Sequence, residues 1–197
     1  ALQAFGIEEP DLKKLEPFIG PPLKDSFMEF YGFTGEEAER AIAVYRERFA
    51  PVGIFENQVY PGIPQMLERL YRRGTRLAVA SSKPIGFVKQ ILAHFDIEKY
   101  FDVVVGSELD GTRGTKEEVV EEALGRLGIL TMPVTERHVR CAMTGDRKFD
   151  IQGARACGLT GVGVRFGFAE EGELEEAGAE YIAETVAGLA EFLLRKA

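Results

Sequence analysis

The hydrophobic positions of this chain change their period once, near residue 60. Before that point they recur at helical spacing, at Phe27, Phe30 and Tyr31 and again at Ala38, Ala41, Ile42 and Tyr45 with Phe49. Residues 1 to about 60 therefore read as all-helical, with the rigid Pro-rich turn Phe18-Ile19-Gly20-Pro21-Pro22-Leu23 between the first helices. The aromatic stripe of Phe27, Phe30 and Tyr31 reads as core. Residues 50–61, with Pro51, Gly53 and Pro61, form a second irregular stretch. They mark the expected junction between a helical domain, 1–60, and a second domain, 61–197.

Beyond the junction, short apolar runs alternate with helical patterns. Helices are predicted over Ile63–Arg73, Ile85–Phe95, Lys116–Leu127, Asp150–Cys157 and Val186–Arg195. Strands are predicted over Arg76–Ala80, Phe101–Val105, Val139–Thr144, Gly161–Val164 and, more briefly, Glu180–Ile182. Such alternation defines an α/β class with a parallel sheet covered by helices on both faces. Ligands of these sheets sit beyond the carboxyl ends of the strands.

Those ends carry the chemistry. Ser81-Ser82-Lys83-Pro84 follows the first strand. A long loop ending in Thr115-Lys116 follows the second, and Gly145-Asp146-Arg147-Lys148-Phe149-Asp150 follows the third. Asp146 and Asp150 are four apart, so they fall on one side of a strand-to-helix turn. Mg²⁺ prefers one or two carboxylates with waters and phosphate oxygens, which suits this pair. Ligation by Asp150 stays open beside a role in orienting a lysine, and Asp146 has a competing use as a helix N-cap. A serine hydroxyl and free amides at a helix start suit a phosphate oxygen, which singles out Ser81 and Ser82. Lys116 is a cation in the first turn of a helix, where a cation is mildly unfavourable, and it can neutralise phosphoryl charge. Lys83 reads as a structural or rim lysine, Arg113 and Arg147 as exposed rim residues, and Glu170–Glu176 as a solvated acidic helix.

Composition narrows the field. The 197 residues are 45% hydrophobic and 28% charged, ordinary for a globular chain with one good core. A net charge of −8 argues against a nucleic acid or an anionic membrane surface as partner, so any phosphate site must be local and basic. No apolar run is long enough to span a bilayer. Cys141 and Cys157 read as reduced, buried thiols of a cytoplasmic protein. His94 and His138 lie far apart, leaving little material for a zinc site or a Ser/His triad.

With these motifs in this order, the chain resembles a haloacid-dehalogenase-superfamily phosphatase of the phosphoglycolate-phosphatase or 5′-nucleotidase-like kind. The resemblance covers essentially all 197 residues. Ile19-Gly20-Pro21-Pro22-Leu23 lies in its helical cap, and Ser81-Ser82-Lys83-Pro84 is its second motif. Lys116 is its third and Gly145–Asp150 its fourth. Gly163–Phe168 resembles the segment after its last core strand. The resemblance implies a Rossmannoid core and a Mg²⁺-dependent phosphomonoesterase acting on a small phosphorylated metabolite or nucleotide. It implies phosphate contacts from Ser81, Ser82 and Lys116, Mg²⁺ at Asp146 and Asp150, and a monomer or homodimer. A phosphosugar mutase, a metal-free dehalogenase and a non-catalytic binding module of the same fold are the other readings.

One motif of the family is absent. Its Asp-x-Asp-Gly-Thr supplies the nucleophile and the general acid/base from a central strand, placed between Arg76–Ala80 and Val139–Thr144. Without it those strands stand about 9–10 Å apart, twice the usual spacing. The string Glu108-Leu109-Asp110-Gly111-Thr112 comes nearest, but it follows the serine motif and has Glu for the first Asp. Ala1–Gly6 has helix formers ending in Gly, with no initiator Met and no N-cap. It reads as the tail of a helix, so roughly 20–30 residues are expected ahead of it.

Overall fold

The computed structural model describes residues 1–196, and the chain divides into two units, Ala1–Gln58 and Val59–Ala197. In the first unit, capping chemistry sets the helix ends. Leu2–Phe5 is a 3₁₀ turn closed by Gly6, whose φ of 73° lies in the left-handed region that glycine tolerates. Leu12–Phe18 is a second 3₁₀ stretch. Helix α1 (Leu23–Tyr31) leads to α2 (Gly35–Phe49), which starts with a capping box. There Thr34 Oγ1 accepts from the Glu37 amide while the Glu37 carboxylate accepts from the Thr34 amide. Phe27, Phe33, Ala38 and Ala41 form this unit's core, with Phe5, Phe18 and Tyr31 packed against it. Phe30, expected there, is 40% exposed. Phe27 and Tyr31, four apart, take the inward stripe of α1 and leave Phe30 on its flank.

The second unit is α/β. Helix α3 (Ile63–Arg72) precedes strand β1 (Ala78–Pro84), and α4 (Ile85–His94) precedes β2 (Val103–Ser107). Helices α5 (Lys116–Arg126) and α6 (Val134–Arg140) lead to β3 (Ala142–Gly145), and α7 (Lys148–Ala156) leads to β4 (Thr160–Val164). The short α8 (Glu173–Glu176), β5 (Tyr181–Ala183) and α9 (Val186–Lys196) complete it. All observed strand pairs are parallel: β1 with β2, β3 with β4 and β4 with β5. Among the described residues β1 and β3 do not pair, so the strands form two sheets, β1-β2 and β3-β4-β5. The split falls between the two strands that the resemblance sets on either side of the absent one.

Period-two alternation assigns the faces. Leu77 and Val79 pack toward α3 and α4, while Ala80 packs toward α5. In β4, Val162 and Val164 join Met66, Leu70, Leu189 and Ala190 of α3 and α9. Its glycines face the other way, and a Cβ at Gly163 would lie 2.9 Å from Leu174 Cδ1. Helix α5 spans the split: Val120 and Leu124 share a cluster with Ala154 of α7, with Cys157 at the C-terminal end of that helix, and with Ala80 and Met143 from the two sheets.

Most element boundaries differ by one or two residues from those read in the sequence, and three differences bear on the site. Val139 and Arg140, expected in a strand, are the last residues of α6, whose start follows Pro133. Val139 is exposed there. Ser81–Pro84, expected as a loop, continue β1: Ser81 pairs with Gly106 and Pro84 with Ser107 of β2, with a bulge between the two pairs at Ser82 and Lys83. Helix α7 starts at Lys148, two residues ahead of the expected Asp150. No helix of the described residues is long and apolar enough to cross a membrane.

Candidate active site

The sequence-predicted residues of the second unit lie at the carboxyl ends of β1 and β3 and at the start of the helix that follows β2. Ser81 is paired with Gly106, and its Oγ accepts from the Lys83 amide at 3.2 Å. Ser107 Oγ donates to the Ser82 carbonyl at 2.8 Å, tying the ends of β1 and β2. Gly106 permits this closeness, since a Cβ there would stand 2.6 Å from the Lys83 carbonyl oxygen. Lys83 is half-buried, and desolvation pushes its ammonium below the ordinary lysine range.

Lys116 is the first residue of α5, whose N-cap Thr115 forms a capping box with Glu118. Its Nζ lies 2.9 Å from Asp150 Oδ1 and donates to the Ala80 carbonyl at 3.3 Å. It therefore links the end of β1 to α7. Gly153 makes room for this, because a Cβ at Gly153 would lie 2.7 Å from Lys116 Cγ. Asp150 Oδ2 accepts from the Arg147 amide at 3.1 Å, so both carboxylate oxygens have protein partners.

Asp146 is not the helix N-cap. Arg147 takes that position, and Asp150 supplies the acceptor for its amide. Asp146 Oδ2 instead accepts from the Phe168 amide at 3.0 Å, while Oδ1 has no protein donor among the described residues. Gly167 lies against it, since a Cβ there would be 2.2 Å from Asp146 Cβ. A carboxylate with one anchored oxygen and one open oxygen, at a strand end, fits a hard cation that takes its other ligands from water and phosphate. Among the described residues no group of three or more His, Cys, Asp or Glu side chains gathers around a common point.

Three expectations about charge are corrected. Arg147, read as an exposed rim residue, is 8% exposed. Its Nε lies 2.9 Å from Glu173 Oε1. Glu173, read as part of a solvated acidic helix, has a side chain only 9% exposed and also accepts from the Lys148 and Glu170 amides. Burial acts against its charge, but the Lys148 amide, Arg147 and the Glu170 amide together hold its carboxyl below the ordinary range. A buried guanidinium needs a carboxylate, and the turn after β4 brings this one in. Arg113 is partly buried: its Nε donates to the Gly106 carbonyl at 3.2 Å and its guanidinium pairs with Glu108. Sequence reasoning missed Gly153, Glu173 and the Phe168 amide. A glycine inside a helix is a readable signal of close packing. Nothing in the sequence separates Glu173 from its acidic neighbours.

Serine hydroxyls, a helix-borne lysine and a carboxylate turn thus gather toward the carboxyl ends of parallel strands, where open α/β sheets bind their ligands. The chain belongs to the haloacid dehalogenase-like hydrolase family, whose sequence profile matches residues 1–164. It is a phosphatase-like member. It is 46% identical over 174 residues to a 5′-nucleotidase of Pseudomonas aeruginosa, covering 88% of this chain and 76% of that protein. It is 38% identical to the tyrosine-protein kinase PtkA of Mycobacterium tuberculosis, covering 85% of this chain and 55% of the kinase. The crystal structure of a predicted phosphatase from Clostridium acetobutylicum superposes with a TM-score of 0.91 at 45% identity, covering 98% of this chain and 87% of that one.

Proposed function

We propose that this chain carries the phosphoryl-holding and cation-holding part of a Mg²⁺-dependent phosphomonoesterase for a small phosphorylated metabolite, with phosphoglycolate and nucleotides as candidate substrates. The observation that carries this reading is Lys116, 2.9 Å from Asp150 and also bonded to the carbonyl next to Ser81. That arrangement keeps an ammonium fixed beside the serine motif, where a phosphoryl group's charge needs an opposite charge already in place. Ser81 Oγ and the Ser82 amide would hold phosphoryl oxygens. Asp146 would hold Mg²⁺, and Asp150 would ligate it as well or serve by keeping Lys116 in place. Bound Mg²⁺ supplies charge neutralisation on the phosphoryl oxygens.

The family chemistry needs an aspartate that attacks phosphorus, a leaving alcohol protonated by a second aspartate, and water that then hydrolyses the aspartyl-phosphate. Residues 1–197 contain no Asp-x-Asp-Gly-Thr. β1 and β3 do not pair with each other among the described residues, which supports a reading in which the strand bearing it lies between them. The test is phosphate release by the natural protein with Mg²⁺ from 5′-nucleotides, phosphoglycolate and p-nitrophenyl phosphate. Asp146→Asn should lower turnover about a hundredfold or more with the fold intact. Wild-type activity in that variant would remove Asp146 from the site. Transfer of the phosphoryl group to a sugar hydroxyl or a tyrosine, in place of water, would favour a mutase or a kinase.

A further inference from the structure

The turn carrying Asp146 is gripped from one side by a segment distant in sequence. After β4 the chain runs through Phe166–Glu173 and bonds back to the turn at both ends. At one end the Phe168 amide donates to Asp146 Oδ2 at 3.0 Å. At the other, Glu173 Oε1 accepts from Arg147 Nε at 2.9 Å and from the Lys148 amide at 2.7 Å, while Oε2 accepts from the Glu170 amide at 3.2 Å. Between these ends, Gly167 lies so close to Asp146 that no side chain fits. The result is a closed ring of contacts around one carboxylate.

We propose that Glu173 is a positioning residue for Asp146, acting through Arg147 and the Lys148 amide to fix the turn that carries it. This rests on Asp146 as the cation's ligand. Arg147 is the sequence neighbour of Asp146 and is buried. Glu173 pins the two residues that follow Asp146, Arg147 through its guanidinium and Lys148 through its amide, and so fixes the turn from which the Asp146 carboxylate projects. Its own carboxylate is saturated by donors, so it supports the site from behind and is not itself a ligand.

The test uses Mn²⁺ as the hard-cation probe, titrated into wild type, Glu173→Ala, Glu173→Gln and the exposed control Glu171→Gln, with Asp146→Asn as reference. Glu173→Ala should bind Mn²⁺ about 10-fold to 100-fold more weakly, as outer-shell changes commonly do. Glu173→Gln keeps an acceptor for the Lys148 amide and should fall between, and Glu171→Gln should match wild type. An equal loss in Glu171→Gln would mean general charge, not positioning, and would overturn the proposal. The Phe168 amide proton, followed by NMR without metal, reads the Asp146 bond directly. Its carboxylate-bonded shift should be lost in Asp146→Asn and Glu173→Ala and kept in Glu173→Gln. A Phe168 resonance unchanged in Glu173→Ala would overturn the proposal whatever the metal does. If Glu173→Ala fails to fold, Glu173→Gln decides by its Mn²⁺ affinity: a value equal to wild type counts against, an intermediate one for. Failure of Asp146→Asn to weaken Mn²⁺ would instead sink the cation assignment and leave the Phe168 readout standing.

Discussion

Lys116 Nζ stands 2.9 Å from Asp150 Oδ1, and both side chains are largely buried, at 15% and 12% exposure. Removing one partner of such a pair leaves the other charge buried and uncompensated. Asp150→Ala should therefore destabilise the protein by about 3 kcal/mol, and Lys116→Ala by a similar amount. The double variant should lose clearly less than the sum, because neither charge is then orphaned. Urea unfolding of the four proteins measures this. Additive losses would show that the two groups do not sense one another.

Glycine replacements give a steric check on the same turn. A Cβ at Gly145 would lie 2.1 Å from Asp150 Cβ, and one at Gly153 would lie 2.7 Å from Lys116 Cγ. Neither neighbour is a free side-chain end, so Gly145→Ala and Gly153→Ala should each cost about 1–3 kcal/mol from overpacking. Gly86, in α4, has nothing within 4 Å of a built Cβ. Gly86→Ala should be neutral or stabilising by up to about 1 kcal/mol, as helix propensity dictates. Equal melting temperatures for all three variants would contradict this close packing of Gly145 and Gly153.

Much of this arrangement is legible in the sequence, and the remainder fails for physical reasons. Alternation of short apolar runs with helical patterns gives the parallel α/β layout, and from it Gly145-Asp146 can be placed at the end of a strand, Ser81 near the end of another and Lys116 at a helix start. The α6–β3 boundary is not legible, because Val139 suits a strand by propensity while Pro133 starts a helix that carries it outward. Arg147 and Glu173 look like surface charges in the sequence. Their burial follows from a contact between segments 26 residues apart, and no local pattern encodes such a contact. Phe30 looks like core because a stripe of three aromatics is continuous in sequence, yet it meets Phe18 in an edge contact and stays 40% exposed, since a nine-residue helix buries only part of its circumference.

The thiols provide a pH test. Burial, with the nearby Glu121 and Glu117 carboxylates, pushes the Cys157 thiol up to about 11. An unfolded cysteine ionises near pH 8.5. Between about pH 8.5 and 11 the unfolded state therefore holds fewer protons than the native one, and stability falls as pH rises through that window. Cys157→Ala should flatten the decline in urea midpoint between pH 8 and pH 10. Native protein at pH 8 should leave Cys157 unlabelled by a thiol-disulfide reagent, with labelling complete in urea. Rapid native labelling at Cys157 would rule out the buried, protonated thiol.

The Glu-Leu-Asp-Gly-Thr string is the remaining candidate for a nucleophile within residues 1–197. The geometry argues against it. Glu108 directly follows β2, which pairs only with β1 among the described residues, so it lies at the side of its sheet and away from the β1–β3 split. Its carboxylate is occupied by Arg113, and its amide donates to the Thr112 carbonyl at 2.8 Å within its own loop. A nucleophile committed to a guanidinium is a weakened one, and in-line attack requires a carboxylate facing the phosphoryl site proposed at Lys116. Residues 1–197 on their own should therefore give no Mg²⁺-dependent turnover of p-nitrophenyl phosphate above background, and Glu108→Gln should behave identically. Turnover that disappears in Glu108→Gln would assign the nucleophile to this loop, and the phosphate-holding roles of Ser81 and Lys116 would then have to be redrawn around it.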